Sequence, residues 1–204
     1  MNTVLCLDAS GAESTVAVVA DAACIFSDKQ AAGRGRGGAL FLMLQAALAA
    51  APELTQIRVG IGPGSYAGCR QSIAAAQGIA MGRRISVAGF SSFLALETGC
   101  NQYAAVGDAR RETLYAAVIR DTMVVEGPRL LDRADFDVWS ADHGLPVFRS
   151  EHEPEGTPGM PVELRAARLA EAGGIGCVEM IEPIYLRPPA ITPSKKKYAL
   201  LDRN

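Results

Sequence analysis

The residues best equipped for chemistry are two aspartates at strand ends, one glycine-rich turn and two histidines. The turn is Gly62-Pro63-Gly64-Ser65-Tyr66-Ala67-Gly68-Cys69-Arg70. It follows an apolar segment, Ile57 to Ile61, and opens a small-residue stretch, Gln71 to Met81. A strand that feeds a helix through such a turn presents backbone N–H groups and a helix N-terminus. Either an anion or a second stretch of backbone can use them. Ser65 sits in G-x-G-S rather than the G-x-S-x-G of a hydrolase elbow, so it reads as the cap of the following helix. Asp8 and Asp108 each end an apolar run, where an aspartate side chain bonds the backbone two residues on and sets a turn. A pair of histidines one helical turn apart can face one metal ion. His143 and His152 are nine residues apart across a Gly/Pro-containing stretch and read as surface side chains. The expected inventory is no catalytic residue, no metal site, and a structural set of Asp8, Gly62, Gly64, Ser65, Gly68 and Asp108.

The elements that position these residues form a repeat. Val4 to Ser10, then Glu13 to Val19, gives an apolar strand, an Asp-Ala turn, an acidic residue and a β-rich strand. Ala104 to Arg110, then Glu112 to Val118, gives the same series about 100 residues later. A repeat at half the chain length implies two halves of one architecture. The remaining pattern predicts strands at 22–29, 57–61, 85–88, 103–107, 113–120 and 123–125. It predicts helices at 39–50, 71–81, 90–98 and 161–172, with Pro52 stopping the first and Gly173-Gly174 ending the last. Arg34 to Gly38 reads as a flexible basic loop, residues 149–161 as a loop, and the tail with Pro188-Pro189 and Lys195-Lys196-Lys197 as extended or disordered. Alternating strands and helices are the α/β class. The expected division is an N-terminal lobe 1–100, a smaller lobe 101–190 and a tail 191–204.

Composition bounds the function. The 204 residues are 49% hydrophobic and 21% charged, with a net charge of −2. That profile is ordinary for a soluble globular chain and offers no basic face for wrapping nucleic acid. The start reads as no signal peptide and no run reaches a membrane span. Five scattered cysteines without a CxxC pair read as reduced thiols of a cytoplasmic protein.

Five segments together resemble the bacterial TsaB family, also called YeaZ. They are LCLDAS, GPGSYAGCR continued by AAAQGIAMG, AGFSSFLAL, GDARRETLYAA and EPIYLRP, in the family's order. The resemblance covers roughly residues 3–120 and 181–188. It implies an actin-like, ribonuclease H-like fold of two related lobes. It also implies a non-catalytic assembly subunit for making threonylcarbamoyladenosine at position 37 of tRNA. The family's TsaD paralogue carries the metal and transfers the group, and a TsaE ATPase joins. The subunit is expected to pair with TsaD, to pair with itself when alone, to touch tRNA only weakly or indirectly, and to need no cofactor. Departures are Ala9 and Ala67, each where the family usually has Thr, and the Arg34 to Gly38 lead-in.

The partner surface also follows from residues. The helix at 39–50 is apolar on almost every face, and one sheet cannot bury all of it. The helix at 71–81 offers Ala74, Ala75, Ala76, Gly78 and Ala80, which permit close helix approach. The expected interface is Leu40, Phe41, Leu44, Leu48, Arg70, Ala74 and Gln77. The alternatives are a degenerate actin-like nucleotide-binding protein or ATPase, and a protease. An actin-like ATPase sets its first Asp in a glycine-containing loop on magnesium-bound phosphate, but Asp108 is followed by the bulky Ala109-Arg110-Arg111 where glycine is wanted. A protease needs a metal pair or an activated nucleophile.

Overall fold

The computed structural model describes residues 2–31, 37–173 and 181–187. The first half builds β1 (Thr3–Asp8), β2 (Glu13–Ala20), β3 (Ala23–Ala31), β4 (Gln56–Gly60) and β5 (Ser86–Phe90) into one sheet of order β3-β2-β1-β4-β5. The second builds β6 (Gln102–Asp108), β7 (Thr113–Arg120), β8 (Met123–Asp132), β9 (Val147–Ser150) and β10 (Met160–Val162) into a sheet of order β10-β9-β6-β7-β8. Counted within each half, both sheets read 3-2-1-4-5. In both, the first three strands are antiparallel and the last two run parallel to the first.

The repeat extends to the turns. Asp21 and Ala22 (φ 45° and 68°) join β2 to β3, and Asp121 and Thr122 (φ 46° and 65°) join β7 to β8. Two consecutive left-handed residues make the tight hairpin whose twist matches its strands. The N–H of Asp21 donates to Asn2 O at 3.0 Å, and that of Asp121 to Asn101 O at 2.8 Å.

Strand alternation sorts side chains into three cores. On β1 and β2, Leu5, Leu7, Val16 and Val18 face α1 (Gly37–Ala50) and α2 (Tyr66–Arg83). On β6 and β7, Ala104, Val106, Ala116 and Val118 face Phe136 and Trp139 of α3 (Arg133–His143). The opposite faces, Val4, Cys6 and Ala17 against Tyr103, Ala105, Ala117 and Ile119, share a third core with Phe93, Phe148 and Leu169. The helices therefore lie outside and the two sheets close on common ground.

That shared core explains where the sequence reading departs from the structure. The helix expected at 90–98 is one 3₁₀ turn, Ser92–Ala95, after which Leu96 turns extended and bridges to Leu164. The helix expected at 161–172 splits into β10 and a 3₁₀ turn, Ala166–Glu171. Both segments fit between the sheets, where short apolar turns pack and a long helix has no room. Arg58 of β4 fixes the second turn by donating from Nη1 to the carbonyls of Leu169, Ala170 and Ala172 at 2.9–3.1 Å. Helix α2 starts directly after Ser65, and β8 runs on to Asp132 past Gly127-Pro128. Part of the loop expected at 149–161 belongs to β9 and β10. The sequence reading had no place for α3 or β9. Most of the Arg34 to Gly38 loop and the tail from Pro188 lie outside the described residues.

Candidate functional site

The glycine-rich turn serves its own backbone. Ser65 N–H donates to Ser10 O at 2.7 Å, and Ser65 Oγ accepts from Gly68 N–H at 3.2 Å, capping α2. A Cβ on Gly68 would stand 1.8 Å from Ala9 O, and one on Gly64 2.3 Å from Ser10 O. The start of α2 is thus pressed against the turn after β1, and its glycines permit that approach. Gly62 adds a left-handed φ of +96°.

Asp8 lies beneath this junction, fully buried. Its Oδ1 accepts from both the N–H and the Oγ of Ser10 at 2.7 Å, while Oδ2 has no hydrogen-bond partner. A side chain at Gly60 would collide with that oxygen. Burial raises the Asp8 pKa, opposed by the hydroxyl and the N–H of Ser10. Its carboxyl group faces packed protein. Asp108 is only half-buried, and its Oδ1 accepts from Arg110 N–H at 2.9 Å. There the chain does what glycine would do more easily: Arg110, Arg111 and Glu112 all adopt left-handed φ of 63°, 56° and 58°.

Between the lobes lies a cleft of about 640 Å³, lined by Ser10, Gly64, Ser65, Asp108, Arg110 and Glu153 among others. Glu153 accepts from Asp108 N–H at 2.8 Å and Tyr115 Oη at 3.1 Å, and burial raises its pKa. The two histidines engage separate partners. His143 Nε2 meets Glu126 Oε2 at 3.0 Å and its Nδ1 meets Trp139 O at 2.7 Å. His152 Nε2 lies 3.2 Å from Glu13 and 3.8 Å from Glu151, beside Lys29, whose Nζ reaches Glu13, Glu151 and Glu163 at 3.6, 4.0 and 2.5 Å. This ion cluster joins β2 and β3 to the second lobe.

The second surface is the outside of α1 and α2. Phe41 and Leu42 are 54% and 69% exposed, and Met81 is 81% exposed. A groove of about 610 Å³ runs between the helices, lined by Phe41, Gln45, Leu48, Ala74, Gly78 and Ile79, with the buried Leu44 beneath. Of the expected interface, Phe41, Arg70, Ala74 and Gln77 are exposed and Leu48 is half-buried. Leu40 and Leu44 are corrections: at 2% and 3% exposure they belong to the chain's own core. An evenly apolar helix carries no periodicity to say which side faces the sheet. Arg70 donates to Tyr66 Oη at 3.1 Å, with its guanidinium 5.4 Å from that ring.

Two lobes with the same 3-2-1-4-5 mixed sheet, closed on a common core, define the actin-like fold. The family model for TsaD, tRNA N6-adenosine threonylcarbamoyltransferase, matches residues 39–179, and the chain belongs to that family. Two solved structures share its fold. A crystal structure of an uncharacterized Pseudomonas aeruginosa protein with similarity to the peptidase YeaZ superposes with a TM-score of 0.72 at 24% identity, over 92% of this chain and 100% of that one. YeaZ from Pseudomonas aeruginosa gives 0.70 at 23%, over 91% and 100%. No curated protein matches the sequence. Among the described residues no helix is long and apolar enough to cross a membrane.

Proposed function

We propose that this chain is a non-catalytic assembly subunit of the machinery that makes threonylcarbamoyladenosine at position 37 of tRNA. It acts in the cytoplasm by docking a catalytic TsaD-type paralogue against the outer faces of α1 and α2. The observation that carries this reading is the exposed apolar groove between those helices. Phe41 and Leu42 stand in water on a helix whose other face already fills the core, and a patch of this kind marks a protein partner. Small residues on α2 let a partner helix approach closely.

Three observations favour a supporting role over chemistry at this chain. The glycine-rich turn holds backbone, Asp8 is sealed under Gly60, and the histidines are tied to different carboxylates. The same face joins two copies when the paralogue is absent. A TsaE-type ATPase binds the assembled pair, and tRNA contacts this subunit weakly or indirectly. The test is light scattering on the purified chain, alone and with its TsaD-type paralogue. The expected result is a homodimer that exchanges into a heterodimer, and loses both states when Phe41→Glu is introduced. A monomer indifferent to the paralogue would overturn the reading.

A further inference from the structure

The segment Ile181–Arg187 crosses from one lobe to the other. On the first lobe it is anchored three times. Ile181 is buried with the α1/α2 core, and Gly89 leaves room for it: a Cβ there would stand 2.9 Å from Ile181 Cγ2. The N–H of Ile184 donates to Ile61 O at 2.8 Å, and Tyr185 stacks on Tyr66 with centroids 5.0 Å apart. On the second lobe its hydrogen bonds come from Arg187, whose Nη1 reaches Ala109 O at 3.3 Å and Arg110 O at 3.5 Å. Those are long contacts of an exposed side chain, so the far end is easily released while the near end is held.

What Arg187 grips is a strained turn. Arg110, Arg111 and Glu112 are three consecutive non-glycine residues in the left-handed region, a conformation that side chains disfavour and that surrounding contacts must hold. Between strap and turn lies a cavity of about 200 Å³ lined by Tyr66, Cys69, Asp108, Arg110, Tyr115 and Tyr185. We propose that Ile181–Arg187 is a releasable strap. With Arg187 bound it holds the Asp108–Glu112 turn in its strained form and screens the interlobe cavity; with Arg187 free the turn relaxes and the cavity opens. This inference is independent of what docks on α1 and α2.

Cys69 reports the opening. Its thiol lines the cavity at 2% exposure, and burial pushes its pKa up to about 12, which keeps it unreactive. Cys6, fully buried in the shared core, is the control. The experiment is maleimide labelling of the full chain read cysteine by cysteine by mass spectrometry, with hydrogen exchange at residues 109–113. It uses the wild type, Arg187→Ala and Tyr185→Ala. Arg187→Ala should raise Cys69 labelling and exchange in the turn by about fivefold or more, with Cys6 unchanged. Tyr185→Ala, which weakens the anchored end, should raise Cys69 labelling as well. Unchanged Cys69 and turn rates in Arg187→Ala would overturn the strap. So would a rise shared by Cys6, which would make the segment part of the global fold.

Discussion

The two lobes have one strand order and the same hairpin turns, yet they cover their outer faces differently. The N-terminal lobe carries two long helices, α1 without a single charge among its 14 residues and α2 with small residues facing outward. Among its described residues the C-terminal lobe carries one α-helix, α3, of 11 residues, capped by Asp132 Oδ1 on Asp135 N–H and closed by a left-handed Gly144. Apart from Val138, the exposed residues of α3 are polar or small. The sheets are thus a common scaffold, and an unpartnered apolar surface is loaded onto one copy. The aspartate turns diverge likewise. Asp8 is sealed and surrounded by glycines, whereas Asp108 leads into a turn held in left-handed geometry without one.

The largest effect should come from the junction that only the first lobe has. Gly68→Ala places a methyl 1.8 Å from Ala9 O, backbone against backbone, and should cost about 3 kcal/mol or more in denaturant unfolding. Gly78→Ala sits in the same helix with open space around its Cβ. It should stabilise the chain by up to about 1 kcal/mol while narrowing the groove, and so weaken partner binding. Loss of stability there would mean the groove face is packed. Neighbouring residues on α1 should separate in the same way. Leu40→Ala should cost about 2–5 kcal/mol by calorimetry, because Leu40 is core. Phe41→Ala should leave stability within about 1 kcal/mol and reduce docking.

Asp8 sharpens the comparison through pH. Its folded pKa is raised, so its contribution to stability is complete below the ordinary carboxylate pKa. That contribution is lost as pH rises through the folded value. Asp8→Asn should flatten the melting-temperature profile above the ordinary carboxylate range, and an unchanged profile would argue against the buried carboxyl as its source. The second turn gives a smaller effect than the junction of the first. Arg111→Gly should stabilise by about 1 kcal/mol in urea, by relieving one left-handed side chain.

Much of this was legible in the sequence, for local reasons. The hairpins announced themselves through Asp turns and β-rich runs, α1 through an apolar stretch interrupted only by Gln45, and the Ser65 cap through its place before a helix. The segments at 90–98 and 161–172 were not legible, because their form is imposed by the core between the sheets. Helix α3 had a signal in Asp132, Asp135 and Gly144, the ordinary marks of a capped helix, while β9 is too short to stand out. The outward face of α1 cannot be read from an evenly apolar sequence, which is why the sequence puts Leu40 and Leu44 in the interface although both are core. The strain at Arg110–Glu112 was half visible: the sequence shows bulk where glycine is wanted, and the structure shows the left-handed backbone that wants it.

The central claim is that one lobe's helical face, and not its counterpart, is the docking surface. The most direct measurement is light scattering of the chain with its TsaD-type paralogue, comparing Phe41→Glu on α1 with Val138→Glu on α3, two exposed apolar side chains at 54% and 64%. The account predicts that Phe41→Glu abolishes the heterodimer and Val138→Glu leaves it intact. A heterodimer that survives Phe41→Glu, or is lost to Val138→Glu instead, would contradict it.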